Sequence, residues 1–249
     1  MAGTETEAHR KLTLLALRWA QKEGYAICGT EIGVPHSNYR ADVAAYRTEY
    51  RKLPLQVDGK SQERLVRQPV IGTTAIFECK QARSDFLKDS HSAAITIEKL
   101  KALDARRRTL ERLLGMHQPS LRKGESLFAE YDVLDMSNFE HKTYRRVLRE
   151  IQILQARLYG KTKFEKLMKY RCANLCYLVI EEGILQAHEV PLLWGFLVRR
   201  GDDLVLEKKS VWNEISEPAR LSILQRIAMG GTRRLSKEWG ISAIENDIT

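Results

Sequence analysis

An apolar run that carries one acid and one base constrains this chain more than any other segment. The run is Ile76-Phe77-Glu78-Cys79-Lys80, and Asp42 lies upstream in a second strand-like segment. Because side chains along a strand alternate between the two faces of a sheet, Glu78 and Lys80 are predicted to point to the same side. Two carboxylates and a lysine can hold a divalent cation and a phosphate together, since hard cations prefer oxygen ligands and an ammonium balances phosphate charge. The pattern therefore favours hydrolysis of a phosphodiester.

Length and charge narrow the classes of function. A chain of 249 residues with 43% hydrophobic content is long enough for one catalytic core with an appendage. Its formal net charge of +9 and pI near 9.4 favour a polyanionic partner, because clustered Lys and Arg displace the counterions condensed on nucleic acid. The sequence shows neither an apolar run of about 18 residues nor a signal-peptide pattern, so we expect a cytoplasmic protein without membrane contact.

The cysteines and histidines give no sign of a zinc site. The cysteines lie mostly in apolar stretches and are expected to be reduced: Cys28, Cys79, Cys172 and Cys176. Cys172 and Cys176 lack a second pair of ligands at zinc-binding spacing. The six histidines are scattered along the chain, and none is assigned a chemical role.

The first half of the chain is predicted to form one helix followed by three strands. Residues 5–23 place apolar side chains at helical spacing. Residues 25–34 and 39–46 are predicted to form a hairpin around the turn-rich residues 35–38. Residues 47–72 are polar and basic with three turn formers, so they are predicted to be an exposed excursion before a third strand at 73–80. Ser84 is the predicted N-cap of a helix whose dipole would face the phosphate site.

The second half is predicted to contain a basic helical pair and then a return to strands. Helical periodicity covers about 93–114 and about 139–158, and residues 89–170 carry 17 Lys and Arg against 11 Asp and Glu, a net of +6. Strands are expected at 174–181, 194–199 and 204–207, before a last helix over 217–229 that ends at Gly230 and Gly231. The predicted organisation is a core of residues 1–89 and 161–249 with a basic helical insertion at 90–160.

This order of elements, with Asp42 in the second strand and Glu78-Cys79-Lys80 in the third, resembles the PD-(D/E)XK nuclease superfamily. The likeness is closer in places to the MmcB-like DNA repair proteins of that superfamily, through Arg40 with Asp42 and through residues 77–89. Similar stretches return at 166–170, 176–179, 190–191 and 195–198. The resemblance implies an α/β fold with a restriction-endonuclease-like core, in which a mixed β-sheet is flanked by helices.

The same resemblance implies roles for individual residues. Asp42 and Glu78 would bind Mg2+ or Mn2+ through carboxylate oxygens, with the backbone carbonyl of Cys79 as a further ligand. Lys80 would stabilise charge on the attacked phosphate or orient the water. Glu31 on the preceding strand is a further candidate ligand or base, although strand acids are commonly just exposed. An isolated Glu-x-Lys pair is likewise often a salt bridge on a solvated face.

Several basic residues are candidates for contacts with DNA. They lie beside the predicted site or on the first helix of the insertion: Arg40, Arg83, Lys88, Arg106, Arg107 and Arg108. The three insertion arginines are predicted to share a solvated helix face, from which they would contact phosphates.

The predicted function is a metal-dependent DNA endonuclease acting in repair, restriction or phage biology. Two alternatives stay open. One is a non-catalytic nucleic-acid-binding module that keeps the fold, and the other is an interaction protein whose helical insertion binds another protein or a second copy of the chain. Metal-dependent cleavage would distinguish the endonuclease from both alternatives. Salt-sensitive DNA binding without cleavage would select the nucleic-acid-binding module.

Overall fold

A six-stranded mixed sheet forms the centre of the protein in a computed structural model that describes residues 6–35, 39–57, 60–83, 91–123, 133–134, 140–159 and 173–241. The strands are β1 (Ile27–Gly33), β2 (Arg40–Val57), β3 (Lys60–Lys80), β4 (Arg122–Lys123), β5 (Val133–Leu134), β6 (Leu175–Glu181), β7 (Gly195–Arg200) and β8 (Asp203–Lys208). The order across the sheet is β1-β2-β3-β6-β7-β8, and β4 and β5 form a separate pair. Strands β3, β6 and β7 run parallel, whereas the other neighbours are antiparallel.

Four α-helices of the described ranges cover the two faces of this sheet. They are α1 (Glu7–Lys22), α2 (His91–His117), α3 (Lys142–Tyr159) and α4 (Glu217–Glu238), with a 3-10 turn at Pro119–Leu121. Helix α1 packs on one face, where Leu12 and Ala16 share a buried cluster with Phe77. Helices α2, α3 and α4 pack on the other face. The α/β class and the mixed sheet flanked by helices are thus as predicted, and no helix in the described ranges is long and apolar enough to span a bilayer.

The helical pair between β3 and β6 forms part of the core. Both helices occur where the periodicity predicts them, and the Tyr144 hydroxyl of α3 donates to Glu111 of α2 at 2.8 Å. Leu100 of α2 and Ile151 of α3 are buried in the same cluster as Leu178 of β6. The pair is therefore a layer packed on the sheet as well as the source of most of the positive charge.

The excursion predicted at 47–72 is largely exposed where its side chains are described, as expected, but it is not the turn-broken segment that its prolines and glycine suggested. These residues continue β2 and β3, which pair with each other from Arg47 and Thr73 out to Val57 and Lys60. Polar composition suggested a loop because strands are usually recognised by one buried, apolar face. A two-stranded ribbon that leaves the sheet has two solvated faces and shows no such alternation. Proline is tolerated in it where the missing N–H would have faced an unpaired edge.

The predicted end of the last helix at Gly230 and Gly231 is also wrong, since α4 continues to Glu238. Interior glycines cost about 1 kcal/mol each relative to alanine. At Gly230 a Cβ would lie 3.0 Å from Ile32 Cδ1, so the missing side chain lets α4 approach β1 closely. Contacts from Arg226 to Gly33 O and from Arg234 to Thr30 Oγ1, at 3.4 and 2.6 Å, hold the helix along that strand.

Several predictions fall outside the described residues. They are the N-cap at Ser84 with the helix after it, Lys88, Cys172 and the stretch 166–170. Within the described residues, β6, β7 and β8 lie where strands are predicted, and β6 is buried along nearly its whole length.

Candidate active site

The predicted site residues meet at one end of the two longest strands. Asp42 lies near the start of β2, and Glu78 and Lys80 lie at the end of its antiparallel neighbour β3. The backbone N–H of Cys79 donates to Asp42 Oδ2 at 2.6 Å, which fixes the aspartate against β3. The Lys80 ammonium donates to Glu78 Oε1, so the prediction that these side chains share one side of the sheet is confirmed.

Glu78 is buried, with 5% of its surface exposed. Its carboxylate accepts hydrogen bonds from the Tyr39 hydroxyl and from Lys80. Burial, followed by the negative charge of Asp42, raises the pKa of Glu78 to about 7, although Lys80 and Tyr39 act in the opposite direction. Glu78 can therefore gain or lose a proton near neutral pH, as a general acid or base must.

Lys80 is held in its charged form. Burial alone would lower the pKa of Lys80, but the carboxylates of Glu78 and Asp42 outweigh burial, and the pKa is raised. Because the ammonium is fixed by Glu78, it is ready to stabilise negative charge without first being ordered.

A possible metal-binding group lies on the other side of Asp42. His9 of α1 places Nε2 at 3.4 Å from Asp42 Oδ1. One ligand atom each from His9, Glu31 and Asp42 can be chosen so that all lie within 4.8 Å of one another. Glu31 has a φ of +56°, a left-handed conformation that residues other than glycine seldom adopt, and strain of this kind is concentrated at functional sites.

This group differs from the predicted set of metal ligands. Asp42 belongs to both sets, and Glu31 joins it as a candidate ligand. Glu78 instead directs its oxygens at Tyr39 and Lys80. For Cys79 the structure gives a role to the N–H, through the bond to Asp42, and the role of its carbonyl stays a prediction.

The two arginines predicted to contact DNA near the site differ in the partners that their side chains have. Arg40 is exposed, and its guanidinium lies 3.7 Å from Glu31 at the rim of the site. Arg83 donates to the buried carboxylate of Glu189 at 2.5 Å and to Ile184 O at 2.9 Å, so its guanidinium ties the end of β3 to the segment after β6. Arg40, which lies beside Glu31, is therefore better placed than Arg83 to contact a ligand at the site.

The three arginines of α2 do not share a solvated face, so that prediction is wrong for Arg107. Arg106 is exposed, and Arg108 is 57% exposed and pairs with Asp104. Arg107 is 4% exposed and forms ion pairs with Asp104 and Glu111 at 2.9 and 2.7 Å. Leu100, Asp104, Arg107 and Glu111 recur at helical spacing, and this face of α2 turns toward α3.

Sequence reasoning missed two residues of the site, His9 and Tyr39. A signal for His9 existed, because residues 9, 12, 16 and 20 follow helical spacing and the last three are buried against the sheet. Nothing in the sequence singled out Tyr39, whose hydroxyl contacts Glu78 because β2 pairs with β3.

No family model matches the chain, and no curated protein does. A solved structure of a protein of unknown function from Silicibacter pomeroyi is similar at 11% identity and a TM-score of 0.48, covering 97% of this chain and 99% of that chain.

Proposed function

We propose that this protein is a metal-dependent nuclease of the PD-(D/E)XK type, with a restriction-endonuclease-like core that hydrolyses phosphodiester bonds in DNA. The observation that carries the proposal is the meeting of Asp42, Glu78 and Lys80 at one end of β2 and β3, with Asp42 fixed by the Cys79 N–H. The raised pKa of Glu78 adds support, because perturbed acids are concentrated at functional sites. The formal charge of +9 suits a polyanionic substrate.

The donor set fits a divalent cation. Ligand atoms around one ion lie no more than roughly twice the bond length apart, about 4.2 Å for Mg2+ and about 5 Å for ions with longer bonds. The atoms of His9, Glu31 and Asp42 lie within 4.8 Å of one another, so a small inward shift of these side chains would let them hold Mg2+. Two carboxylates suit Mg2+ or Mn2+, and the imidazole favours Mn2+ over Mg2+. When bound, such an ion would acidify a water molecule and neutralise charge on the phosphate.

The chain's own residues would do the remaining work. The Cys79 N–H keeps the Asp42 carboxylate in place, and Tyr39 with Lys80 orients the carboxylate of Glu78. Glu78 would accept or return a proton at its carboxylate oxygen, since its pKa of about 7 allows both states at neutral pH. Lys80 would place its positive charge beside the attacked phosphate.

A non-catalytic nucleic-acid-binding module is the second candidate. The observation in its favour is the ion pair between Lys80 and Glu78, which satisfies both groups inside the protein. Such a module would bind DNA in a salt-sensitive manner and leave it intact.

The test is a cleavage assay on single-stranded, duplex and branched DNA and on RNA, with Mg2+, Mn2+ or EDTA. We expect cleavage that requires metal and is abolished in Asp42→Asn and Glu78→Gln. The matched controls Asp203→Asn and Glu217→Gln change exposed acids that pair with Lys22 and Arg220 and not with residues of the site, so they should cleave normally. DNA binding without cleavage under every condition would reject the nuclease and select the module.

A further inference from the structure

Strands β2 and β3 extend well beyond the sheet as a two-stranded ribbon, residues 47–57 and 60–72. Pairing with β1 stops at Tyr46, and pairing with β6 begins at Ala75. Beyond these points, within the part of the chain that the structure describes, the two strands pair only with each other. Eleven residues of β2 at about 3.3 Å each give a ribbon about 36 Å long. Its base lies beside α4, where Ile71 and Thr48 line a shallow groove with Leu224.

The ribbon is the second source of the protein's positive charge. Residues 47–72 contain six Lys and Arg against three Asp and Glu, a net of +3. Residues 89–170 contribute +6, and the two regions together equal the formal charge of +9. The rest of the chain is therefore balanced, and the excess charge is confined to the ribbon and the helical pair.

One face of the ribbon brings like charges together. Lys52 and Arg67 are direct cross-strand partners, and both are exposed. Like charges placed opposite each other destabilise a ribbon, so this pairing has a cost in the unbound protein. The Arg67 guanidinium lies 4.6 Å over the ring of Tyr50, which is 51% exposed on the same face. A phosphate between the two cations would turn repulsion into attraction.

The edges of the ribbon argue against a protein strand as the partner. Unpaired strand edges invite a third strand, and native proteins block such additions with proline and charge. Each strand of the ribbon carries a proline, Pro54 in β2 and Pro69 in β3, which has no N–H to offer. A two-stranded ribbon also fits the major groove of duplex DNA.

The base of the ribbon is anchored by hydrogen bonds with β2 and α4. The N–H of Gly72 donates to the Tyr46 hydroxyl at 2.9 Å. Arg220 of α4 donates to the carbonyls of Ile71 and Gly72 at 3.0 and 3.1 Å. Anchoring of the base lowers the conformational entropy that this end of the ribbon would lose on binding.

We infer that the ribbon is a second contact surface for duplex DNA, with Lys52 and Arg67 bound to its phosphates. The inference rests on the proposed function for its choice of partner. Ten residues of β2 separate Asp42 from Lys52, about 33 Å along the strand. That distance corresponds to about one turn of B-form DNA, so a duplex lying along the strands reaches the active-site residues and the ribbon together.

The test measures binding of a 30-base-pair duplex by fluorescence anisotropy over a range of salt, in EDTA so that no cleavage occurs. The double variant Lys52→Gln with Arg67→Gln should bind more weakly. Its negative slope of log K against log salt should become shallower by about 1.8, or about 0.9 for each lost phosphate contact. The control, Arg233→Gln with Lys237→Gln, removes two exposed charges from α4 and should retain the wild-type slope.

Other outcomes overturn the inference. An unchanged slope, or an equal change in the control, means that the ribbon does not touch DNA. Loss of a wild-type dimer in the double variant, seen by sedimentation with no change in DNA binding, assigns the ribbon to self-association instead. The binding assay contains no metal and therefore does not depend on cleavage. If the ribbon contributes to binding but the protein never cleaves, the proposed nuclease activity is rejected and the ribbon's contact with DNA is retained. If cleavage is normal but the salt slope is unchanged in the double variant, the ribbon's contact with DNA is rejected and the nuclease activity is retained.

Discussion

Replacing Lys208 with methionine tests whether a buried lysine is neutral in the folded protein. Lys208 ends β8 with 7% of its surface exposed, and its Nζ donates to the carbonyls of Val190 and Pro191 at 2.9 and 3.1 Å. Burial, followed by the charge of Arg107, lowers its pKa to about 7. A neutral amine has two N–H donors, and the two carbonyls match them.

Methionine fills similar space without leaving either carbonyl unpaired. The Val190 carbonyl also accepts from Gln155 Nε2, and the Pro191 carbonyl accepts from the Trp194 N–H, both at 3.0 Å. The variant therefore removes a titrating group without creating the penalty of a buried unsatisfied acceptor.

The expected effect depends on pH. Between about pH 7 and 10.5 the unfolded chain binds a proton at Lys208 that the folded protein does not bind. The free energy of unfolding of the wild type should therefore rise with pH in this window, by about 1.4 kcal/mol per unit from this residue. This contribution is complete above pH 10.5 and is lost as the pH falls toward 7. The wild type should gain about 3 kcal/mol relative to Lys208→Met between pH 7.5 and 9.5.

The measurement is urea unfolding of both proteins, followed by far-UV circular dichroism at pH 6.5, 7.5, 8.5 and 9.5. Subtracting one stability from the other cancels groups that titrate alike in both proteins. Lys237→Met, at an exposed position of α4, is the control and should differ from the wild type by a constant amount. A constant difference for Lys208→Met as well would refute the reasoning, because it would mean that Lys208 stays charged when buried.

Two further changes test the ribbon base and the site. Gly72→Ala should lower the free energy of unfolding by about 1–3 kcal/mol or more, because the new Cβ would overlap the Arg47 carbonyl and lie 2.8 Å from Glu49 N. Gly231→Ala has open space in α4 and should instead gain up to about 1 kcal/mol, and equal effects in urea unfolding would contradict the packing argument. Lys80→Ala should slow cleavage far more than it weakens duplex binding in EDTA, because its charge is aimed at the reacting phosphate. A parallel loss of both would make Lys80 an ordinary phosphate contact.

The part of the site that the sequence could predict depends on local geometry. Strand alternation places Glu78 and Lys80 on one side. The sequence also placed Asp42 on the preceding strand, and the pairing of β2 with β3 brings it beside them. The buried run 175–180 identifies a central strand because only a strand covered on both faces is apolar throughout.

The rest depends on tertiary packing. His9 contacts Asp42 because α1 packs on the sheet beside the start of β2. Glu31 adopts a left-handed backbone conformation, which its residue type does not predict. Arg107 looked exposed because arginine usually is, but acids one turn away on either side accompany it into the interior. The ribbon lacked an apolar face, the feature by which strands are recognised.

Strand β2 is continuous from Asp42 to Lys52, so the number of residues between them sets the distance from the carboxylates of the site to the cations of the ribbon. Lengthening β2 and β3 by one residue each would swap every side chain of the outer ribbon to the opposite face. Lengthening both by two residues would keep the faces and move the cations outward by about 6.6 Å, close to the rise of two base pairs. Changes in ribbon length are thus expected to be tolerated in even steps, and each step resets the spacing along a bound duplex.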